Sequence, residues 1–301
     1  MRQLRHTRSF YRFLFRGLGL PFSVADTITK GLKFAWNPAQ GKLREEFAAR
    51  IGERAEAEQL RRDGFLVFAP DRFPAIDGVL KTCREIRDER APTADTALEG
   101  KDFLVTVAKD TQFAEWPHLF DLLISRDLID IASAYFGRVP VLSGASLWWS
   151  PPNETFRQSQ MFHCDREDHT TLKMFFNIED VTPEKGPFTL MPGPASDRAK
   201  AKLRYHKRIS SRVTDDELAA SAGPDELVEL TGGQGGGACV DTSRCFHYGS
   251  RGNTEPRCVL MLRFSDYLVP FADVPDWSKA MDTCALELDE YQKLLLGFRA
   301  D

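Results

Sequence analysis

The sequence contains no run of about 18 uninterrupted apolar residues, so no segment reads as a membrane-spanning helix. It also lacks a surplus of positive charge. Its 40 Lys and Arg stand against 44 Asp and Glu, a net charge of −4, which argues against a general nucleic-acid binder. Its 6 cysteines (Cys83, Cys164, Cys239, Cys245, Cys258 and Cys284) include no C-x-x-C pair, which disfavours a zinc ribbon or dithiol redox motif. Arginines interrupt every apolar run near the N-terminus, so no secretory signal is read. Reduced thiols and a cytoplasmic location are the expectation. No internal repeat and no low-complexity linker is present. What remains is an ordinary globular balance, 42% apolar and 28% charged, with 22 Phe and 5 Trp to fill a core. A chain of 301 residues fits one barrel or sandwich domain.

The N-terminus forms a basic arm, taken as residues 1–42, ahead of a single domain over 43–301. Arg2, Arg5, Arg8, Arg12 and Arg16 fall on one side of a helix and Leu4, Phe10, Tyr11 and Leu14 mostly on the other. Three readings stand: a peripheral membrane contact, an organellar transit peptide, or a basic helix docked by its aromatic side. The spacing predicts helices over 43–62, stopped by Gly64, and over 73–91, with Ile76, Val79, Leu80, Cys83 and Ile86 on one face. A third runs over 116–136, with Pro117 in its first turn. Phe65–Phe68 reads as a short buried strand.

From Val139 onward short apolar runs alternate with turn residues, the pattern of a sandwich or barrel. Strands are expected at 141–149, 160–165, 171–181, 188–191, 227–230, 238–240 and 257–268. The glycine-rich run 231–237 lacks the Lys-Ser/Thr and helix of a phosphate loop and reads as a strand connection. An insertion over about 195–226 opens with Arg198, Lys200, Lys202, Arg204, Lys207, Arg208 and Arg212. Thr214 and Glu217 then form a capping-box pattern, and 286–298 reads as a closing helix.

Met161-Phe162-His163-Cys164-Asp165 is the stretch with chemistry. On a strand His163 and Asp165 project from one face, and Cys164 points to the other. With a third ligand from a distant strand, they make the two-His, one-carboxylate pattern of non-haem Fe(II) oxygenases. Alone, H-x-D is a weak signal. His6, His118, His169 and His206 carry no such company.

Four motifs in order raise it. They are Phe162-His163-Cys164-Asp165, the apolar Leu172–Val181, Gly186-Pro187 through Pro192-Gly193, and His247-Tyr248-Gly249-Ser250 with Asn253 and Arg257 following. Together with Leu60–Val67 upstream, this series resembles the phytanoyl-CoA dioxygenase family of Fe(II)/2-oxoglutarate-dependent oxygenases over about 58–268. One departure is Pro194-Ala195-Ser196, where the family often has Ser-His after the Pro-Gly turn. The departure touches the substrate side, not the metal.

The resemblance implies an α+β chain with a double-stranded β-helix (jelly-roll, cupin-like) core flanked by N-terminal and C-terminal helices. It implies Fe(II) held by His163, Asp165 and His247, with 2-oxoglutarate as cosubstrate and O2 as oxidant. Arg257 would pair with the distal carboxylate of 2-oxoglutarate, a role its planar fork suits. Lys173, odd in so apolar a run, reads as a cosubstrate or substrate contact. The implied reaction is hydroxylation of an unactivated C–H bond in a small molecule. The basic insertion suggests that this substrate bears a phosphate, carboxylate or coenzyme-A group. Arg263, on the same strand face as Arg257, offers a second guanidinium. The alternative is a jelly-roll metal-binding or interaction protein without redox catalysis, which has no need of Arg257 beside an open metal face. Halogenation is disfavoured because Asp165 is present.

Overall fold

The computed structural model describes residues 37–74, 76–91, 102–207, 210, 212–222, 226–267, 274–278, 280 and 287–298, with isolated positions between 24 and 35. The arginine-rich start of the basic arm, Arg208 and Cys284 lie outside the described residues.

Helix α1 (Pro38–Ile51) starts at Asn37, whose side chain accepts from the Gln40 amide, with Pro at its first position. It stops at Gly52, φ 78°, and α2 (Ala55–Asp63) follows. The single helix expected over 43–62 is thus two, because Gly52 takes a left-handed φ that ends the first. The expected stop at Gly64 is present, with φ 82° and its amide donating to Leu60 O. β1 (Phe65–Phe68) buries only one face, since Val67 is 56% exposed. α3 (Ile76–Arg90) buries Ile76, Val79, Leu80, Cys83 and Ile86, the face that the spacing marks. β2 (Val105–Lys109) has no counterpart in the sequence reading. The helix expected over 116–136 is also two, α4 (Pro117–Leu123) and α5 (Arg126–Phe136), because Ser125 is extended between them.

The remaining elements are β3 (Val141–Ser150), β4 (Thr171–Asn177), β5 (Thr189–Leu190), α6 (Gly193–Leu203) and α7 (Asp215–Ser221). Then come β6 (Val228–Glu229), β7 (Gly237–Asp241), β8 (His247–Tyr248), β9 (Arg257–Ser265) and α8 (Glu290–Leu295). The capping box of Thr214 and Glu217 is formed, with Glu217 N donating to Thr214 Oγ1 at 3.3 Å and Thr214 N to Glu217 Oε2 at 2.8 Å.

The strands form a six-stranded antiparallel sheet, order β1-β7-β4-β9-β3-β2, and a three-stranded one, order β6-β5-β8. Isolated bridges Phe162↔Val213 and His163↔His247 extend the small sheet beyond β8. The strand expected over 160–165 is reduced to these bridges.

Alternation along β4 and β9 explains the layers. Leu172, Met174, Phe176, Cys258, Leu260, Leu262 and Phe264 pack outward against α3, α4 and α5. Phe175, Val259 and Met261 pack inward, with Ala238, against Leu190 and Cys245 from the small-sheet side. Being buried on both faces makes β4 a near-continuous apolar run. The small sheet's outer face (Phe162, Cys164, Met191, Phe246) is covered by Ala195 and Ala199 of α6 and Leu218 of α7. Each large apolar side chain among these contributes about 1.5–3 kcal/mol when fully buried. The result is a jelly-roll core flanked by helices. The glycine run is a strand connection: a Cβ on Gly237 would lie 1.8 Å from Phe175 O, so only glycine lets β7 close on β4.

Candidate metal centre

His163 and His247 exchange backbone hydrogen bonds, His163 N to His247 O at 3.1 Å and His247 N to His163 O at 3.0 Å. Residues opposed in this way project from the same face, and the ring centroids lie 4.4 Å apart. Each Nδ1 sits 2.9 Å from a carbonyl oxygen two residues back, Met161 O or Cys245 O. A carbonyl only accepts, so Nδ1 carries the proton and Nε2 keeps its lone pair. Burial, then the neighbouring His247, pushes the His163 pKa down to about 3, and burial lowers that of His247. Both imidazoles are neutral and ready to ligate.

Asp165 lies beyond the bridged stretch and is positioned differently. Its amide donates to Thr242 O at 2.8 Å, which fixes it to the turn between β7 and β8. That turn is held by Asp241, whose Oδ1 accepts from Ser243 N, Ser243 Oγ and Arg244 N, and whose Oδ2 accepts from Tyr135 Oη at 2.6 Å. One turn therefore sets both Asp165 and the start of the His247 strand. Asp165 Oδ1 lies 3.9 Å from His163 Nε2 and 3.8 Å from His247 Nε2. The donor atoms of the three residues all lie within 4.8 Å of one another, a group that can hold a metal ion. Oδ2 faces Lys173 Nζ at 2.6 Å. Burial alone raises a carboxyl pKa, but the Lys173 charge and the two imidazoles override it and hold Asp165 well below the usual range. Cys164 points away into the small sheet's outer cluster, as the alternation requires.

Arg257 opens β9 and is buried, with Nη2 donating to Ser250 Oγ at 3.0 Å and Nε unpartnered. No carboxylate among the described residues forms an ion pair with it. Burial pushes its pKa down to about 10. A Cβ on Gly249 would touch both Arg257 Nη2 and the Phe188 ring at 3.7 Å, so the guanidinium lies beside Phe188. Phe188 in turn stacks on His247, centroids 5.1 Å apart. A polar web supports Ser250. Its Oγ meets Ser150 Oγ at 2.7 Å, its carbonyl accepts from buried Gln160 Nε2 at 2.7 Å, and Gln160 also bonds Asn153 Oδ1 at 2.8 Å. Ser250 sits at φ 57°, a conformation rare outside glycine, and this web supplies part of what holds it there. The sequence marks no site role for Ser150, Asn153, Gln160, Tyr135 or Asp241. Ser150 and Asp241 end strands and Tyr135 lies on α5, and a single polar group carries no periodic signal.

Lys173 does not join Arg257. It pairs in register with Arg263, six residues along β9, which is about 20 Å of strand. Lys173 thus reaches the triad from the opposite end of the barrel. Arg263 shares the inward face with Arg257, but it is committed to the Ser143 carbonyl, to Ser143 Oγ at 3.2 Å and to Glu167 at 3.7 Å. Much of the insertion's charge is also engaged. Arg198 pairs with Glu226 at 2.9 Å, Lys200 with Asp197 at 2.7 Å, and Lys207 donates to the carbonyls of Asp168 and His169.

No protein-family model matches the sequence, and no curated protein matches it. Solved structures match its fold. The carbocyclase SnoK from nogalamycin biosynthesis, a non-haem α-ketoglutarate-dependent enzyme, superposes with TM-score 0.52 at 16% identity, over 73% of this chain and 87% of its own. EctD from S. alaskensis with bound Fe gives 0.52 at 18%, over 75% and 80%. The same protein with 2-oxoglutarate and 5-hydroxyectoine gives 0.51 at 19%, over 72% and 77%. The likeness is one of fold, the jelly roll that these iron and 2-oxoglutarate enzymes share.

Proposed function

We propose that this chain is a 2-oxoglutarate-dependent non-haem iron dioxygenase that hydroxylates an unactivated C–H bond of a small anionic molecule. The observation that carries the reading is Arg257. A buried guanidinium without a counter-charge, beside a face of two neutral imidazoles and one carboxylate, fits a dicarboxylate that bridges metal and arginine. A purely structural metal site gives Arg257 nothing to do.

His163, Asp165 and His247 would hold Fe(II) from one side, leaving the other side open. Arg257 and Ser250 would take the distal carboxylate of 2-oxoglutarate. With O2, these groups supply the oxidising chemistry. Phe175, Phe188, Val259 and Met261 wall the inner face with apolar surface that excludes water. Lys173 keeps Asp165 Oδ2 occupied, so that Oδ1 is the oxygen turned to both imidazoles. The narrower place in the phytanoyl-CoA dioxygenase family rests on the four ordered motifs, and residues 43–301 are read as one domain. Five described cysteines are free and buried, which suits a reducing cytoplasm.

The test is a mass-spectrometric screen of small carboxylates, phosphates and coenzyme-A thioesters. The expected result is a +16 product that requires both iron and 2-oxoglutarate. Succinate release that no candidate substrate stimulates, together with products of unchanged mass, would count against hydroxylation.

A further inference from the structure

The small sheet carries a third residue in the row of the two histidines. Phe162 and Val213 form a bridge, Phe162 N to Val213 O at 3.1 Å and Val213 N to Phe162 O at 2.8 Å. In an antiparallel pair, one step forward on one segment is one step back on the other. Arg212 therefore stands opposite His163, on the side away from His247. Phe162 and Val213 both pack outward beneath α6 and α7, so their neighbours His163 and Arg212 face inward.

The charges around Arg212 are unusual. It is half-buried, its Nε donates to the Gln158 carbonyl, and no carboxylate among the described residues forms an ion pair with it. A second guanidinium is close, because Arg166 donates to Ser210 O at 2.7 Å, two residues before Arg212. Burial, then repulsion from Arg166, lowers the Arg212 pKa, with Tyr205 and Asp165 opposing. The other charged groups at this end have partners. Lys173 meets Asp165, Arg263 meets Glu167, and Lys207 donates to two carbonyls. Glu167 also accepts from the Arg166 amide.

On the iron and 2-oxoglutarate reading, Asp165 would supply one negative charge to Fe(II) and the cosubstrate the other, and Arg257 would take the cosubstrate's distal carboxylate. Lys173 keeps its contact with Asp165, and Arg212 has no carboxylate partner among the described residues. Placed opposite His163, with its Nε on the Gln158 carbonyl, Arg212 borders the triad's face on the side away from His247.

Building on that reading, we infer that Arg212 is the substrate-recognition residue, which receives a carboxylate or phosphate group of the substrate in a two-pronged contact next to His163. The planar guanidinium fork matches either anion. Arg212 contributes from the sheet edge, whereas Arg198 and Lys200 of the insertion are spent on ion pairs within the protein.

The test titrates inorganic phosphate, and separately acetate, into metal-free protein, followed by 31P or 13C NMR line broadening. Wild type is compared with Arg212→Met, Arg212→Lys and Arg198→Met. The expected result is saturable binding of at least one anion, weakened about tenfold or more in Arg212→Met and partly restored in Arg212→Lys. Arg198→Met, at an exposed arginine paired with Glu226, should leave it within about twofold, and the stronger of the two probes names the substrate's anionic group. Any other pattern overturns the inference, including equal loss in Arg198→Met or no saturable binding in wild type. The Lys variant keeps the charge, so it decides the matter if the Met variant fails to fold. A Co(II)-loaded sample separates the two readings. If Co(II) fails to bind at the triad, the iron reading falls, while the metal-free titrations still decide the role of Arg212.

Discussion

Replacing Arg257 with Met should make the empty protein more stable and the loaded protein less so. The guanidinium is buried with no carboxylate partner, and its pKa falls from 12.5 to about 10. At about 1.4 kcal/mol for each tenfold change in proton affinity, burying the charge costs on the order of 3 kcal/mol. Met keeps the unbranched apolar stem and loses the charge-assisted bond to Ser250 Oγ, worth about 1.5 kcal/mol. The net gain is about 1–2 kcal/mol, or roughly 2–6 °C in melting temperature for a chain of this size. Adding 2-oxoglutarate should reverse the order. At a concentration about 100 times Kd the wild type gains about 2.7 kcal/mol, and the variant, lacking the carboxylate partner, gains little. The assay is thermal unfolding of both proteins with Mn(II), with and without 2-oxoglutarate. A variant that melts lower without cosubstrate and shifts as far with it would refute the idea that Arg257 is destabilising until its ligand arrives.

Acid should destabilise the metal-free protein earlier than its carboxylates alone would. The His163 pKa is about 3 when folded against 6.5 in the unfolded chain, and that of His247 shifts the same way. The unfolded chain therefore binds protons first. Stability present above about pH 6.5 is lost as pH falls toward 3, with a slope approaching about 1.4 kcal/mol per pH unit for each histidine. Denaturant unfolding from pH 7 to pH 5 should show this slope, reduced in His163→Asn, and a flat wild-type profile would contradict it. Lys173→Met removes the partner of a buried carboxylate and should cost the metal-free protein about 3–5 kcal/mol. The loss should shrink when a divalent metal is added, because the cation replaces the missing charge, and an equal loss with and without metal would remove Lys173 from the site.

The parts of the fold written as repeating patterns were legible in the sequence. The buried face of α3 and the two-faced burial of β4 follow from residue spacing, and the stop at Gly64 from its chemistry. The helix breaks at Gly52 and Ser125 were missed because apolar periodicity runs across them, while local backbone geometry decides where a helix ends. β2 and β8 went unseen for different reasons. Val105–Lys109 sits alone among helices, and His247–Tyr248 is too short for alternation to register. That His163, Asp165 and His247 come together was legible because their motifs come in order. The way the three are assembled was not, since His163 and Asp165 are held by separate long-range bonds, to His247 and to Thr242, rather than by one regular strand. Lys173 stood out in the sequence as a cation in an apolar run. Its partner Asp165 was visible only in three dimensions.

The central claim is that His163, Asp165 and His247 hold Fe(II) in a form that 2-oxoglutarate can chelate. The direct measurement is an anaerobic titration of Fe(II) and 2-oxoglutarate into metal-free protein, followed by visible absorption. The wild type should develop a weak charge-transfer band only when both are present. His163→Ala, Asp165→Ala and His247→Ala should each abolish it, while Cys164→Ala, whose side chain points away, should keep it. A band that survives all three ligand substitutions, or one that never forms in the wild type, would contradict the claim.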